Sequence, residues 1–279
     1  MPIRLDIFDD ASPDATEQVG REIESQDDRV TYVRRPVNVG SIPNFQQALA
    51  TVSTEYFVVL ADDDWFLPDF LHDAYQLREA SPDVDAAVFV TEHRDQDGNL
   101  LGTYPAAIDA VRFGRLEPRE HLSDWMEHGH YMWSSILWRR NVLDTVGAPY
   151  MRTGLPSDVN FQAQIFTQHT AHLVDRVGAV FLAHPTQTSA GYDRSHITSW
   201  GKIFAGLDRA VRRTKVLDRD EYARLRPLMI DRYRPMWQAP AATRQSPLKR
   251  VGAAYVAATR LGDRAIAGLV LPLGRLRRR

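Results

Sequence analysis

The run Tyr56-Phe57-Val58-Val59-Leu60-Ala61-Asp62-Asp63-Asp64-Trp65 restricts the fold more than any other stretch of the chain. Tyr56 to Leu60 are all apolar or aromatic, the composition of a strand buried on both faces. Asp is depleted in strands, so the strand should end at the three carboxylates. No lysine or arginine lies between Tyr56 and Leu77 to neutralise them. Like charges this close repel and raise one another's pKa. A divalent cation, Mg²⁺ or Mn²⁺, relieves the conflict, because such ions take carboxylate oxygens and leave positions for phosphate. The alternative is helix capping by Asp64 or Asp69 ahead of a helix over Pro68–Glu79. Capping accounts for one aspartate better than for three.

Before this run, strand patterns at Ile3–Phe8 and Arg29–Arg35 alternate with helix patterns at Glu17–Ser25 and from Ser41 to about Thr51. After it comes another apolar strand, Ala86–Thr91. Such alternation predicts an α/β fold with a parallel, doubly wound sheet. Ligands of such sheets sit beyond the carboxyl ends of the strands. Asp9, Asp10, Asn38 and Asp62–Asp64 all fall at such ends, which points to one shared site. The pattern then changes. Asp97-Gly98 is a hairpin signal, Pro118–His128 reads as a helix, and Tyr131–Trp138 as a strand. Asn141–Val146 and Val159–Thr167 read as helices, and His172–Ala183 as paired short strands. A polar loop over His184–Trp200 precedes helical segments from about Ile203 to Tyr233. Pro235–Ser246 is a linker candidate before a last helix-like stretch, Leu248–Val270.

With no cysteine among 279 residues, a disulfide scaffold, a zinc–thiolate site and a cysteine nucleophile are excluded. A net charge of −2 argues against nucleic acid as a partner. The charge is uneven. The first 28 residues are rich in Asp and Glu, whereas the last turn of sequence carries Arg275, Arg277, Arg278 and Arg279 behind Leu269–Leu273. That composition suits peripheral contact of the basic C-terminus with anionic lipid, and equally a solvated tail. No run is apolar for long enough to span a bilayer, and the N-terminus enters a strand-like segment without a signal peptide. The expected location is cytoplasmic, at the inner face of the plasma membrane if the tail binds lipid.

In order along the chain, Ile7-Phe8-Asp9-Asp10-Ala11-Ser12, Asn38-Val39-Gly40 with Asn44, Ala61-Asp62-Asp63-Asp64, Trp133-Ser134-Ser135 with Arg139-Arg140 and Val146-Gly147, and Ser157-Asp158 form a set. This set resembles family 2 glycosyltransferases, inverting sugar-nucleotide enzymes of the GT-A fold. The resemblance covers about residues 3 to 200. It implies a mostly parallel, Rossmann-like central sheet flanked by helices over residues 1–200, with a helical extension and basic tail over 201–279. Two departures stand out. The chain opens at what looks like the family's second strand, so the edges beside the first should be exposed. Ala61 stands where many members carry the first acid of the DxD motif, although Asp62-Asp63-Asp64 is itself such a string.

The resemblance also implies roles. Asp63 and Asp64 hold the metal, and Asp62 reaches the ribose of a nucleoside diphosphate sugar, with uridine the expected base. Asp9 and Asp10 contact the nucleotide, against the alternative of a simple turn. Asn38, Gly40 and Asn44 shape its loop, with Gly40 at positive φ. Asp158 is the general base for the acceptor hydroxyl, against the alternative of a helix N-cap. Trp133 and Ser134 face the acceptor, a saccharide or lipid-linked group, although an aromatic there also suits the core. Arg194 and His196, in the loop Gly191–His196, would clamp phosphate and add a metal ligand. Two other readings compete with an enzyme of cell-surface polysaccharide or glycolipid synthesis. One is a truncated, non-catalytic paralogue that binds a nucleotide sugar or a partner. The other is a nucleotidyltransferase, which would want a Gly-rich, lysine-bearing loop near the N-terminus that the sequence lacks.

Overall fold

The computed structural model describes residues 3–106, 108–150, 154, 156–185 and 194–237, with backbone alone at 194–197 and 235–237. Strands β1 (Leu5–Asp9) and β2 (Val30–Arg34) pair in parallel around helix α1 (Thr16–Gln26) as a two-stranded sheet. Helix α2 (Ser41–Thr51) leads to β3 (Tyr56–Phe57), the acidic turn, β4 (Trp65–Phe66) and α3 (Phe70–Ala80). The long β5 (Ala86–Asp95) turns back into β6 (Leu100–Tyr104) through Asp97-Gly98, with Gly98 at φ 83°. There follow β7 (Gly114–Leu116), α4 (Pro118–His128), a 3-10 turn at Trp133–Ser135 and β8 (Ile136–Arg139). Helices α5 (Val142–Val146) and α6 (Ser157–Ile165), strand β9 (Ala171–Ala183), and helices α7 (Arg194–Thr214) and α8 (Arg219–Trp237) complete the order. The second sheet has seven strands in the order β3-β8-β5-β9-β4, with β6 on β5 and β7 on β9.

The α/β class with a central sheet flanked by helices is as expected, but the pairing is mixed. β1–β2 and β5–β9 are parallel, while β3–β8, β4–β9, β5–β6, β5–β8 and β7–β9 are antiparallel. Alternating patterns reveal strands, whereas direction is set by the connections, and in the second half the β5–β6 hairpin stands where a helical crossover would give a parallel neighbour. Three elements differ from expectation. Only Tyr56 and Phe57 of the central apolar run pair as a strand, and Leu60 is 41% exposed. Residues 133–135 coil into a 3-10 turn because both serine hydroxyls find local or cross-sheet partners instead of leaving the backbone extended. His172–Ala183 belongs to one 13-residue strand, whose register shifts along β5 absorb the polar Asp175-Arg176 pair that looks like a turn.

One core cluster joins the sheet and the helices, from Trp125, Trp138, Phe161 and Phe166 to Ile203, Leu207, Leu225 and Met229 on α7 and α8. Helix α7 runs through position 200 without a break. Among the described residues no strand pairing links the two sheets, and helix α2 spans them instead. Its Asn44 amide donates to the Phe8 carbonyl at 2.8 Å, and the next residue, Phe45, meets the Trp133 ring edge-on at 6.2 Å. Among the described residues β1 and β3 each pair along one edge, and Leu5 is 50% exposed. The stretches Gly191–Asp193 and from Gln238 onward, including the last helix-like stretch and the arginine tail, lie outside the described residues, and the linker expected from Pro235 starts inside α8, which continues to Trp237.

Candidate active site

The three aspartates of the acidic turn face three different environments. Asp62 is exposed. Asp63 is half-buried, and its Oδ2 lies 2.9 Å from Nε2 of His184, the residue that follows β9. Asp64 is buried at 9% exposure; Oδ1 accepts the Leu182 N–H at 3.2 Å, and Oδ2 accepts the Ser134 hydroxyl. Burial raises the Asp64 carboxyl to about 6, against the lowering effect of those two donors. Asp64 therefore ties the turn to the 3-10 segment and to β9. The capping alternative does not describe this geometry, since Asp69 occupies the N-cap of α3 without a side-chain cap bond. Asp63 and His184 could together hold a metal, a donor set that suits Mn²⁺ better than Mg²⁺, whereas both oxygens of Asp64, the other expected ligand, are engaged by Ser134 and Leu182. Among the described residues no three His, Asp or Glu side chains gather into a complete cage. Diphosphate oxygens and water would complete the shell, as is usual for such sites.

His184 was not legible in the sequence. It stands at the carboxyl end of a strand, the same positional rule that singles out Asp62–Asp64. Splitting β9 into two short strands obscured that position. The sequence instead nominated Arg194 and His196, which fall in the first turn of α7 rather than in a loop, and their side chains lie outside the described residues.

At the end of β1, Asp9 is 4% exposed and fully engaged. It accepts from the Tyr32 hydroxyl at 2.5 Å, the Ser12 N–H at 2.9 Å and the Arg34 guanidinium. Burial pushes its pKa up, but these donors outweigh burial and bring it to about 2. Asp10 accepts from Val39 N at 2.8 Å and Gly40 N at 2.7 Å, and Asn38 Oδ1 also receives Gly40 N at 3.2 Å. Gly40 has φ 90° and is the N-cap of α2, so its positive φ is as expected and Ser41 is the first helical residue instead of the cap. Asp10, Asn38, Gly40 and Asn44 are thus brought together. Asp9 is turned inward to brace β1 against β2.

Asp158 lies in the first turn of α6, whose N-cap is Pro156, so it is not the cap. Burial raises its carboxyl to about 6, partly offset by the N–H of Val159 and its own. One turn on, Phe161 packs on Trp133 at 5.1 Å, and the adjacent Ser134 is bonded to Asp64. Helix α6, which carries Asp158, therefore packs on the same 3-10 segment that holds Asp64. Trp133 itself is 8% exposed, wedged between Phe45 and Phe161, and belongs to the core instead of offering an open sugar platform.

The sequence model described as Glycosyl transferase family 2 matches residues 2–147. The crystal structure of S. aureus TarS 1-349 in complex with UDP-GlcNAc is similar with a TM-score of 0.60 at 13% identity, over 98% of this chain and 82% of that one. Mannosyltransferase PcManGT from Pyrobaculum calidifontis, in complex with GDP-Man and Mn²⁺, is similar with a TM-score of 0.52 at 18% identity, over 96% and 74% of the two chains. No curated protein matches.

Proposed function

The chain belongs to glycosyl transferase family 2, with the GT-A fold and glycosyltransferase activity, and on that premise we propose an inverting, metal-dependent enzyme that uses a nucleoside diphosphate sugar. The reading is supported above all by Asp63 and His184, which approach to 2.9 Å, Asp63 from the turn between β3 and β4 and His184 from the end of β9. The complexes of similar proteins with UDP-GlcNAc and with GDP-Man and Mn²⁺ support a nucleotide-sugar donor and a divalent ion. Once bound, the cation would neutralise charge on the departing diphosphate. Asp158 takes the proton of the acceptor hydroxyl as that oxygen attacks the anomeric carbon from the face opposite the diphosphate. The new C–O bond forms as the bond from carbon to the phosphate oxygen breaks, and configuration inverts. With its pKa near 6, Asp158 is mostly ionised at neutral pH yet still basic enough to help. The loop of Asp10, Asn38 and Gly40 orients the nucleotide.

We assign the product to cell-surface polysaccharide or glycolipid and place the enzyme at the inner face of the membrane, through Arg275 and Arg277–Arg279. Among the described residues no helix is long and apolar enough to cross a bilayer. Deleting residues from Leu248 onward should release the protein from membranes, and unchanged co-sedimentation rejects that contact. The central test is thermal stability with UDP and other nucleoside diphosphates, with and without Mn²⁺. A diphosphate should raise Tm only with the ion, and Asp63→Ala and His184→Ala should each abolish the shift. A shift without metal, or none with any nucleotide, rejects the reading in favour of a non-catalytic binding module.

A further inference from the structure

With Trp133 buried, a different set of rings lines the layer formed by β5, β6 and β9. His93 on β5 and Phe181 on β9 stand opposite each other in register, with centroids 5.1 Å apart. Tyr104 on β6 lies 5.8 Å from His93 and 6.1 Å from Phe181. All three are half-buried. Gly102 faces His93 across the hairpin, and a Cβ added there would meet nothing within 4 Å, so the space beside His93 is open.

This layer reaches both parts of the candidate site. On one side the residue after Phe181, Leu182, donates its N–H to Asp64. On the other, Tyr104 packs 5.4 Å from His130, whose Nδ1 is 2.8 Å from the Tyr233 hydroxyl. That hydroxyl is close enough to Asp158 and Tyr104 for their charges to add to the rise that burial imposes on it. The ring layer is thus linked toward the acidic turn through Leu182 and toward Asp158 through His130 and Tyr233.

Their chemistry selects a ligand class. Burial lowers His93, and burial together with the charge of Arg232 lowers His130 to about 4, so both sites favour the neutral imidazole. Among the described residues the cations nearby, Arg94 and Arg232, are engaged, the first by Glu92 at 2.7 Å and the second by the Glu127 carbonyl. The surface offers apolar ring faces bordered by neutral N and O–H edges. A pyranose matches it, with a C–H face for the rings and hydroxyls for the edges. A phosphate would require cations, and an alkyl chain would leave the polar edges unmatched.

We propose that His93, Tyr104 and Phe181 form the acceptor subsite and that it takes a pyranose ring, presenting one of its hydroxyls to Asp158. This rests on the glycosyltransferase reading above. The test is saturation-transfer NMR on the full chain with methyl glycopyranosides of the gluco, galacto, manno and N-acetylglucosamine series, and with glycerol 3-phosphate. At least one glycoside should bind the wild type, strongest through its C–H face. Tyr104→Ala and Phe181→Ala should each weaken it about three- to tenfold, as loss of a ring contact does, while Tyr104→Phe retains it. The Tm shift with UDP and Mn²⁺, measured on the same samples, reports the donor site separately and should survive in all three variants. Absence of glycoside binding to the wild type, equal binding to the alanine variants, or binding of glycerol 3-phosphate alone overturns the subsite even where the donor shift stands. A missing donor shift with glycoside binding intact overturns the parent reading alone.

Discussion

Asp9 and Asp158 are both carboxyls beside strand or helix ends, yet their environments drive them apart. Asp9 gathers three donors and falls to about 2, whereas Asp158 is desolvated with weak compensation and rises to about 6. A raised acid has a definite sign. The folded state holds the proton more tightly than the unfolded chain, so Asp158 favours folding at low pH and that contribution is lost as pH rises through about 6. Ionised, it costs on the order of 2–3 kcal/mol. Asp158→Asn should therefore raise Tm at pH 8 and leave it nearly unchanged at pH 4, while lowering kcat/KM by roughly 10²–10⁴-fold. In the wild type kcat/KM should climb with pH through about 6. A Tm of the variant that is lower at both pH values, or an unaltered rate, contradicts the assignment. The acids at this scale were legible because three in a row after an apolar run are chemically conspicuous. Their partners were not, since His184 lies 121 residues from Asp63 and no local pattern joins them.

At the scale of elements, helix α4 and the β5–β6 hairpin were legible because Pro118 stands at the first helical position, between Glu117 and Glu120 of a capping box, and Gly98 supplies a positive φ. The 13-residue span of β9 was not, because its continuity depends on neighbours instead of on its own composition. Gly178 shows how. A Cβ there would lie 2.6 Å from Phe70 Cδ2 and 2.8 Å from Phe89 Cβ, so α3 and β5 both close on the bare backbone. The Gly178 carbonyl also receives Leu67 N at 2.8 Å, which aligns β4 with β9. Gly178→Ala should destabilise the protein by about 1–3 kcal/mol through overpacking. Gly102→Ala, in open space, should change stability by less than about 1 kcal/mol and serves as the control. Urea midpoints at constant m-value measure both, and equal effects of the two substitutions would mean that Phe70 and Phe89 yield freely.

For the whole molecule, the expected single parallel sheet is replaced by two sheets joined through α2, and this division predicts uneven stability. A two-stranded sheet is marginal by itself. β1 and β2 are covered by α1, but Leu5, Val19 and Ile23 remain 50%, 51% and 40% exposed, so the unit buries little apolar surface. In contrast Val88, Phe89 and Val90 of β5 are at most 2% exposed between β8 and β9. Amides of β1 and β2 should therefore exchange through local opening well before those of β5 and β9. The Asp10–Asn38–Gly40 loop belongs to the weaker unit and Asp63 to the stronger one, so a ligand that touches both must couple them. UDP with Mn²⁺ should slow exchange in β1 and β2 by stabilising the closed form in proportion to its occupancy. Asp63→Ala, which severs one end of the bridge, should remove that protection while leaving exchange in the free protein unchanged. Hydrogen exchange followed by mass spectrometry separates the outcomes. If β1 exchanges as slowly as β5 without ligand, α2 binds the sheets more firmly than its contacts imply. If nucleotide and metal protect only the segments around Asp63, the two units do not share the donor site.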